Sequence, residues 1–303
     1  MNRREILKGA AAMAAAWASP RMVRAQQAPG DIKITAEGMV INGGGANVLA
    51  FRTGDGLVLV DSGTPQSGDH VMAGIKTLAP GAKVTLFNTH YHLDQTGNNE
   101  MFGAAGAKII AHERTREWMA NDYWVPSEDR YEKARPQAAL PTRTFQETGS
   151  LKAGDEEIDY GYLLLAHTNG DIYVHFKTSN LIAVGDVASP VRDPELDWFT
   201  GAWIGGRVDA MDTVLKLTND KTILVPAYGL PMTRAEFKAE RDMMDQVRDR
   251  LFKYVREGDG PQDMLAEGVL KDLPRTWKDP EKFLYAAAKG LWAHHDKMDR
   301  NVV

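Results

Sequence analysis

Apolar residues come in short blocks or alternate with polar ones over the first two thirds of the chain, then adopt a helical spacing after residue 232. Ile32-Lys33-Ile34 alternates, Gly43-Gly44-Gly45 interrupts, and Val48-Leu49-Ala50-Phe51 resumes, predicting strands between Asp31 and Asp61. Gly54-Asp55-Gly56 is a hairpin turn signal before the buried-strand block Leu57-Val58-Leu59-Val60. A helix is predicted over 67–78, stopped by Pro80-Gly81. Val84-Thr85-Leu86-Phe87 is the next strand and delivers the chain to His90. Lys108-Ile109-Ile110-Ala111 is another, leading into a helix through Trp118.

Residues 119–143, with Pro126, Pro136 and Pro141, read as irregular. Strand pairs are predicted near 157–166 and 171–185, a helix near 207–218, and a strand at Thr222-Ile223-Leu224-Val225. Strands alternating with helices in two similar halves predict a β-sandwich flanked by helices rather than a simple parallel sheet. Past residue 232, Thr233 and Glu236 form a capping box, and Phe237, Met244, Val247, Leu251 and Val255 share one helical face. A methionine-bearing stripe of this kind is read as packing. A last helix is predicted from Asp279 to about Lys297.

The amino terminus stands apart. Arg3-Arg4 precedes a small apolar run from Gly9 to Ala18, and Val23-Arg24-Ala25 supplies a cleavage-like end. This is the layout of a secretory signal, and the paired arginines point to the twin-arginine export machinery as a partner. The expected organisation is a signal at 1–25, a main domain at 31–232 and C-terminal helices at 233–303, in a periplasmic protein with no permanent membrane anchor. Removing residues 1–25 takes away five basic residues and one acidic residue, moving the formal charge from −5 to −9. So acidic a surface is a poor match for phosphate backbones, which argues against nucleic acid as a partner. The chain has no cysteine, so no thiolate serves as nucleophile or metal ligand.

The candidate chemistry begins at Thr89-His90-Tyr91-His92-Leu93-Asp94-Gln95. In extended backbone, residues two apart project to one side, so His90 and His92 converge on one ion and Asp94 continues the projection. This run resembles the metal-binding turn of the metallo-β-lactamase superfamily, typically Thr-His-x-His-x-Asp-His, with the match running from His90 through Asp94. Four further stretches resemble that family's landmarks, in order. Val58-Leu59-Val60-Asp61-Ser62-Gly63 matches its early strand ending in aspartate, and Ala166-His167-Thr168-Asn169-Gly170-Asp171 its third histidine turn. Val184-Gly185-Asp186 matches the strand end carrying a metal-bridging aspartate, and Val225-Pro226-Ala227-Tyr228-Gly229 the loop of a final histidine. The resemblance covers about residues 31–232 and implies an αββα four-layer sandwich, here with a C-terminal helical extension.

The resemblance also implies a ligand set. Its first metal site falls on His90, His92 and His167, with Asp186 as a fourth ligand. Its second falls on Asp94, Gln95, Asp186 and Tyr228, where two usual histidines are replaced by Gln95 and Tyr228. A glutamine amide is a weak donor, and a phenol must lose its proton to bind a divalent ion well. One metal per chain is therefore expected: zinc first, with iron or manganese as alternatives. Asp94 becomes a catalytic general base or water-orienting group. The implied function is a metal-dependent hydrolase, nearer the glyoxalase-like branch, using a metal-bound water on the ester, thioester, amide or lactone of a small-molecule substrate. Two rivals are a single-iron oxygen-using enzyme on the same fold and a non-catalytic protein that retains its metal. Asp61 is read either as a support for a metal histidine or as a turn former. The aromatic clusters Trp118, Tyr123, Trp124, Tyr131 and Trp198, Phe199, Trp203 are read either as a pocket over the metal or as core beneath loops.

Overall fold

A computed structural model describes residues 30–294. The signal read at 1–25 lies outside the described residues, as do His295 and the end of the last expected helix. The chain opens as an antiparallel meander of β1 (Ile32–Lys33), β2 (Gly38–Gly43), β3 (Ala46–Thr53) and β4 (Gly56–Val60). Helix α1 (Gly68–Leu78) crosses to β5 (Val84–Phe87), which lies parallel to β4. Short helices α2 (Leu93–Thr96) and α3 (Asn99–Ala104) precede β6 (Lys108–His112) and α4 (Glu113–Ala120). The stretch read as irregular contains a small ribbon of β7 (Tyr123–Val125) and β8 (Arg130–Glu132), before β9 (Arg143–Phe145) joins the first sheet beside β6. That sheet has seven strands in the order β1-β2-β3-β4-β5-β6-β9.

The second sheet begins with β10 (Thr148–Ala153), β11 (Glu156–Tyr162), β12 (Ile172–Phe176) and β13 (Leu181–Gly185), all antiparallel. Helix α5 (Ile204–Leu217) then crosses to β14 (Ile223–Pro226), parallel to β13. Each half therefore runs from a meander into a parallel crossover, as the two similar halves predicted. Helices α6 (Arg234–Glu257), α7 (Pro261–Ala266) and α8 (Pro280–Ala293) complete the described chain.

Period-two alternation builds the layers. Val58 and Val60 of β4 face inward with Leu49, Phe51, Phe87 and Ile110 to meet Ile158, Val174, Phe176 and Leu181 of the second sheet. Leu57 and Leu59, one residue out of step, face outward onto Val71 and Ile75 of α1 and Phe102 of α3. Ile182 and Val184 do the same on the far side, beneath Val208 and Met211 of α5. These contacts make the expected αββα sandwich. Helix α6 starts at the Thr233–Glu236 capping box and stops at Gly258, whose φ of 85° suits a residue without a side chain. Its buried face, including Met243, Met244, Val247 and Leu251, joins the outer core of the second sheet together with Phe283 and Leu284 of α8. The methionine stripe is packing, as read.

Candidate metal centre

The ends of β4, β5, β13 and β14 gather at one edge of the sandwich and launch the loops that carry the chemistry. Gly185 lets two of those ends meet: a Cβ there would lie 2.8 Å from the Cβ of Thr89, and its φ is +55°. Beyond β5 the chain bends through Thr89, His90 and Tyr91 instead of running on extended, and turns into α2 at His92 (φ −60°, ψ 146°). Asp94 thus sits in the first turn of a short helix rather than on a continuing extended strand. His167 lies in the turn between β11 and β12, fixed by Asp171, whose carboxylate accepts the backbone N–H of His167 and of Thr168, each at 2.7 Å.

Every metal-facing histidine is held by its other nitrogen. Thr89 donates its hydroxyl proton to Asp61 at 2.7 Å, so the same oxygen accepts from His90 Nδ1 at 3.0 Å. His92 donates from Nε2 to Asp197 at 2.8 Å, and His167 from Nδ1 to the carbonyl of Glu195 at 2.9 Å. These bonds turn His90 Nε2, His92 Nδ1 and His167 Nε2 toward one another. The three side chains offer ligand atoms within 4.8 Å of one another. His92 Nδ1 faces His167 Nε2 at 3.1 Å, and His90 Nε2 is buried with no partner. Three ring nitrogens gathered at one point, one of them buried without a partner, are the donor set of a cation site, so the residues fit a bound metal ion. Burial and neighbouring charges set how these groups titrate. Burial, then the neighbouring His167 and His92, hold the His90 imidazole well below its ordinary pKa. Burial also works against a charge on His92, but Asp197 outweighs it and pushes the pKa up to about 9, so a metal ion binding there would displace a proton from Nδ1. Asp61, buried and hydrogen-bonded to Thr89, acts as a support for His90; burial pushes its carboxyl up to about 8.

The other half of the expected site looks different. Asp186 is only 2% exposed, and its Oδ2 lies 3.8 Å from His167 Nε2. That oxygen also accepts a hydrogen bond from Arg192, whose guanidinium stacks 3.8 Å over the Tyr228 ring and lies 4.0 Å from Asp94. Burial opposes ionisation of Asp186, but Arg192 reverses the balance and lowers its pKa. Tyr228 donates its hydroxyl to Asp94, and burial followed by the Asp94 charge raises the phenol far above its usual range. Gln95 is fully buried, with neither amide atom hydrogen-bonded. Asp94, Asp186 and Tyr228 thus converge around a guanidinium, with Gln95 buried apart from any hydrogen-bond partner, while the histidines form their own trio.

Two residues of this site were not anticipated from sequence: Arg192 and Asp197. Both lie in the loop Pro190-Val191-Arg192-Asp193-Pro194-Glu195-Leu196-Asp197 between β13 and α5. Their signal is a charge-dense, proline-bounded stretch directly after Asp186. The same loop walls a cleft of about 540 Å³ beside His92 and Asp94. Tyr123 of the ribbon, Trp198, Phe199, and Phe283 and Tyr285 of α8 line it as well. The aromatic clusters therefore divide: Tyr123, Trp198 and Phe199 face the cleft, Trp203 is buried in the outer core, and Trp124 and Tyr131 pair on the surface. His112 caps α4 by accepting from the Arg114 N–H, a structural role.

Comparison with known proteins bears on this architecture. A sequence profile described as the metallo-beta-lactamase superfamily matches residues 41–271. The chain is 25% identical over 224 residues to the 2,4-dinitroanisole O-demethylase subunit alpha of Nocardioides sp. (strain JS1661), covering 72% of this chain and 63% of that protein. It is 23% identical over 185 residues to a metallo-beta-lactamase type 2 of Bacillus cereus, covering 61% of this chain and 67% of that one. The chain thus spans about two thirds, and for the first slightly less, of these relatives' own length. Among solved structures, a metallo-beta-lactamase from Pontibacter korlensis superposes with a TM-score of 0.58 at 18% identity, covering 71% of this chain and 98% of its own. A stereoselective inverting sec-alkylsulfatase from Pseudomonas sp. superposes at 0.59 with 15% identity, covering 88% of this chain and 50% of its own. These superpositions share the layered fold, and the profile spans β3 to β14, the histidine trio and α6. By that match the chain belongs to the metallo-beta-lactamase superfamily.

Proposed function

We propose that this protein is a periplasmic single-metal hydrolase, reached by twin-arginine export, that cleaves an ester, thioester, amide or lactone of a small molecule. The observation that carries it is the trio of inward nitrogens, each turned toward the centre by an outward hydrogen bond, beside a cleft of about 540 Å³. That volume suits a small organic substrate. The superfamily is mostly hydrolytic, which supports the reaction type.

His90, His92 and His167 would hold the ion, with Asp186 near enough to His167 to join them. A bound divalent ion supplies a Lewis acid that brings the pKa of water down to about 7. The chain's own groups do the rest. Asp94, on the cleft wall, orients the attacking water and receives its proton; Tyr228, donating to Asp94, sets the direction of that carboxylate. Leu196, Phe199 and Phe283 exclude bulk water from one side of the cleft. Because the Tyr228 phenol keeps its proton for Asp94, it offers no phenolate to a hard ion such as iron, and zinc is the favoured ion.

Elemental analysis of protein purified without added metal, alongside turnover of chromogenic esters, thioesters, lactones and a cephalosporin, tests the reading. One retained equivalent of zinc and turnover of at least one substrate are expected, with His90→Ala losing both. Retention of metal with no turnover anywhere in the panel would turn the balance to a binding protein, and iron-dependent oxygen uptake to the oxygen-using enzyme.

A further inference from the structure

We infer that Arg192 stands in for a second metal ion and binds the leaving oxygen of the substrate; this rests on the hydrolytic reading above. Its guanidinium lies among Asp94, Asp186 and Tyr228, three of the four positions where the sequence would place a second ion. Arginine keeps its charge throughout the physiological range, and Asp186 and, at 3.6 Å, Glu195 pair with it. Asp186, almost wholly buried, has a compensating charge in that guanidinium.

The guanidinium is also under-used. Among the described residues only its Nη2 donates to a protein acceptor, and Nε is buried without a partner. The side chain is 23% exposed and lines the cleft, on the same wall as Asp94. A planar fork with free N–H groups, fixed beside the water-orienting carboxylate, is suited to an oxygen that gains negative charge. Its position is held from behind as well. Arg275, on the segment between α7 and α8, donates to the carbonyls of Arg192 and Ser189, and Glu240 of α6 accepts the Ser189 N–H at 2.6 Å. A loop pinned at both carbonyls presents the cation without reorganising during the reaction.

For an ester the step balances as follows. The oxygen of water bonds to the acyl carbon, and one water proton passes to Asp94. The acyl–oxygen bond breaks with its electron pair remaining on the leaving oxygen, which rests against Arg192 until it takes the proton back from Asp94. The fork thus favours substrates whose leaving group is a poor one, such as an alkoxide, since those develop the most charge.

The experiment pairs two readouts on wild type, Arg192→Ala and Arg192→Lys. The first is zinc stoichiometry by titration into apo-protein. Wild type and Arg192→Lys should take one equivalent, while Arg192→Ala, with Asp186 left uncompensated, should take a second, weaker one. Two tight equivalents in wild type, or the same stoichiometry in wild type and Arg192→Ala, would overturn the inference. The second is kcat/KM for 4-nitrophenyl, phenyl and ethyl butyrate. Arg192→Ala should lose roughly 100-fold on the ethyl ester and only a few-fold on the nitrophenyl ester, with Arg192→Lys restoring part of the loss. An equal loss across the series would also overturn it. If wild type hydrolyses none of these esters while binding zinc, the ester reading fails, and the stoichiometry alone decides whether Arg192 holds the place of an ion.

Discussion

The nitrogen that each metal-facing histidine turns away from the centre is as constrained as the one it turns inward. His92 depends on Asp197, which also accepts the Tyr91 hydroxyl, so a single carboxylate orients the ligand and ties it to the aromatic packing of Tyr91 on Trp118. Asp197→Asn keeps an acceptor but removes the charge, and should weaken zinc binding roughly 10- to 100-fold, read by competition with a chromogenic chelator. Unchanged affinity would show that His92 is positioned by packing alone. Asp94 makes the opposite case. It lies outside the histidine trio and accepts from Tyr228, so Asp94→Asn should abolish turnover while the protein retains its metal. Loss of metal together with activity would make Asp94 a ligand instead. At this scale the sequence was partly legible. His90, His92 and His167 are spaced as ligands in the run and turn that carry them, but Arg192 and Asp197 are not. Their partners, Asp186 and His92, are local in space only because one loop folds back across two strand ends.

Strands and helices were read closely because their signal is periodic. Leu57-Val58-Leu59-Val60 is buried on both faces and therefore continuous, and the Thr233–Glu236 box sits where its chemistry says a helix begins. The ribbon of β7 and β8 was not readable, since three-residue strands carry too few positions for a period to emerge. What periodicity also could not show is how α5, α6 and the segment before α8 are joined beneath the site. Arg207 of α5 and Glu240 of α6 are both 0% exposed, 3.9 Å apart, and Arg275 lies 3.5 Å from the same Glu240 oxygen. Arg207 also donates to the Ser189 hydroxyl at 2.8 Å. Glu240→Gln leaves two guanidiniums buried against a neutral amide and should cost about 3 kcal/mol of stability in urea unfolding. A change below about 1 kcal/mol would mean that the cluster is hydrated rather than dry.

Considered whole, the described chain is two similar half-sandwiches with one cleft at their shared edge and a helical cover on the second sheet. Among the described residues no helix is long and apolar enough to cross a membrane. Export through the twin-arginine route, proposed from Arg3 and Arg4, would carry a protein already folded around its ion, which accords with a chain that needs no disulfides. Replacing both arginines by lysine should leave full-length, metal-loaded protein in the cytoplasm, measured by fractionation. Undiminished periplasmic protein would sink the assignment of that route.

The wall that α8 gives the cleft, through Phe283 and Tyr285, has a consequence for how such proteins diversify. The histidines are all in place by residue 167, more than a hundred positions before that helix begins. The three histidines and one wall of the cleft are therefore encoded on separate stretches of the gene. Substitutions at the cleft-facing positions of that helix would reshape what the cleft accepts while leaving the histidines untouched.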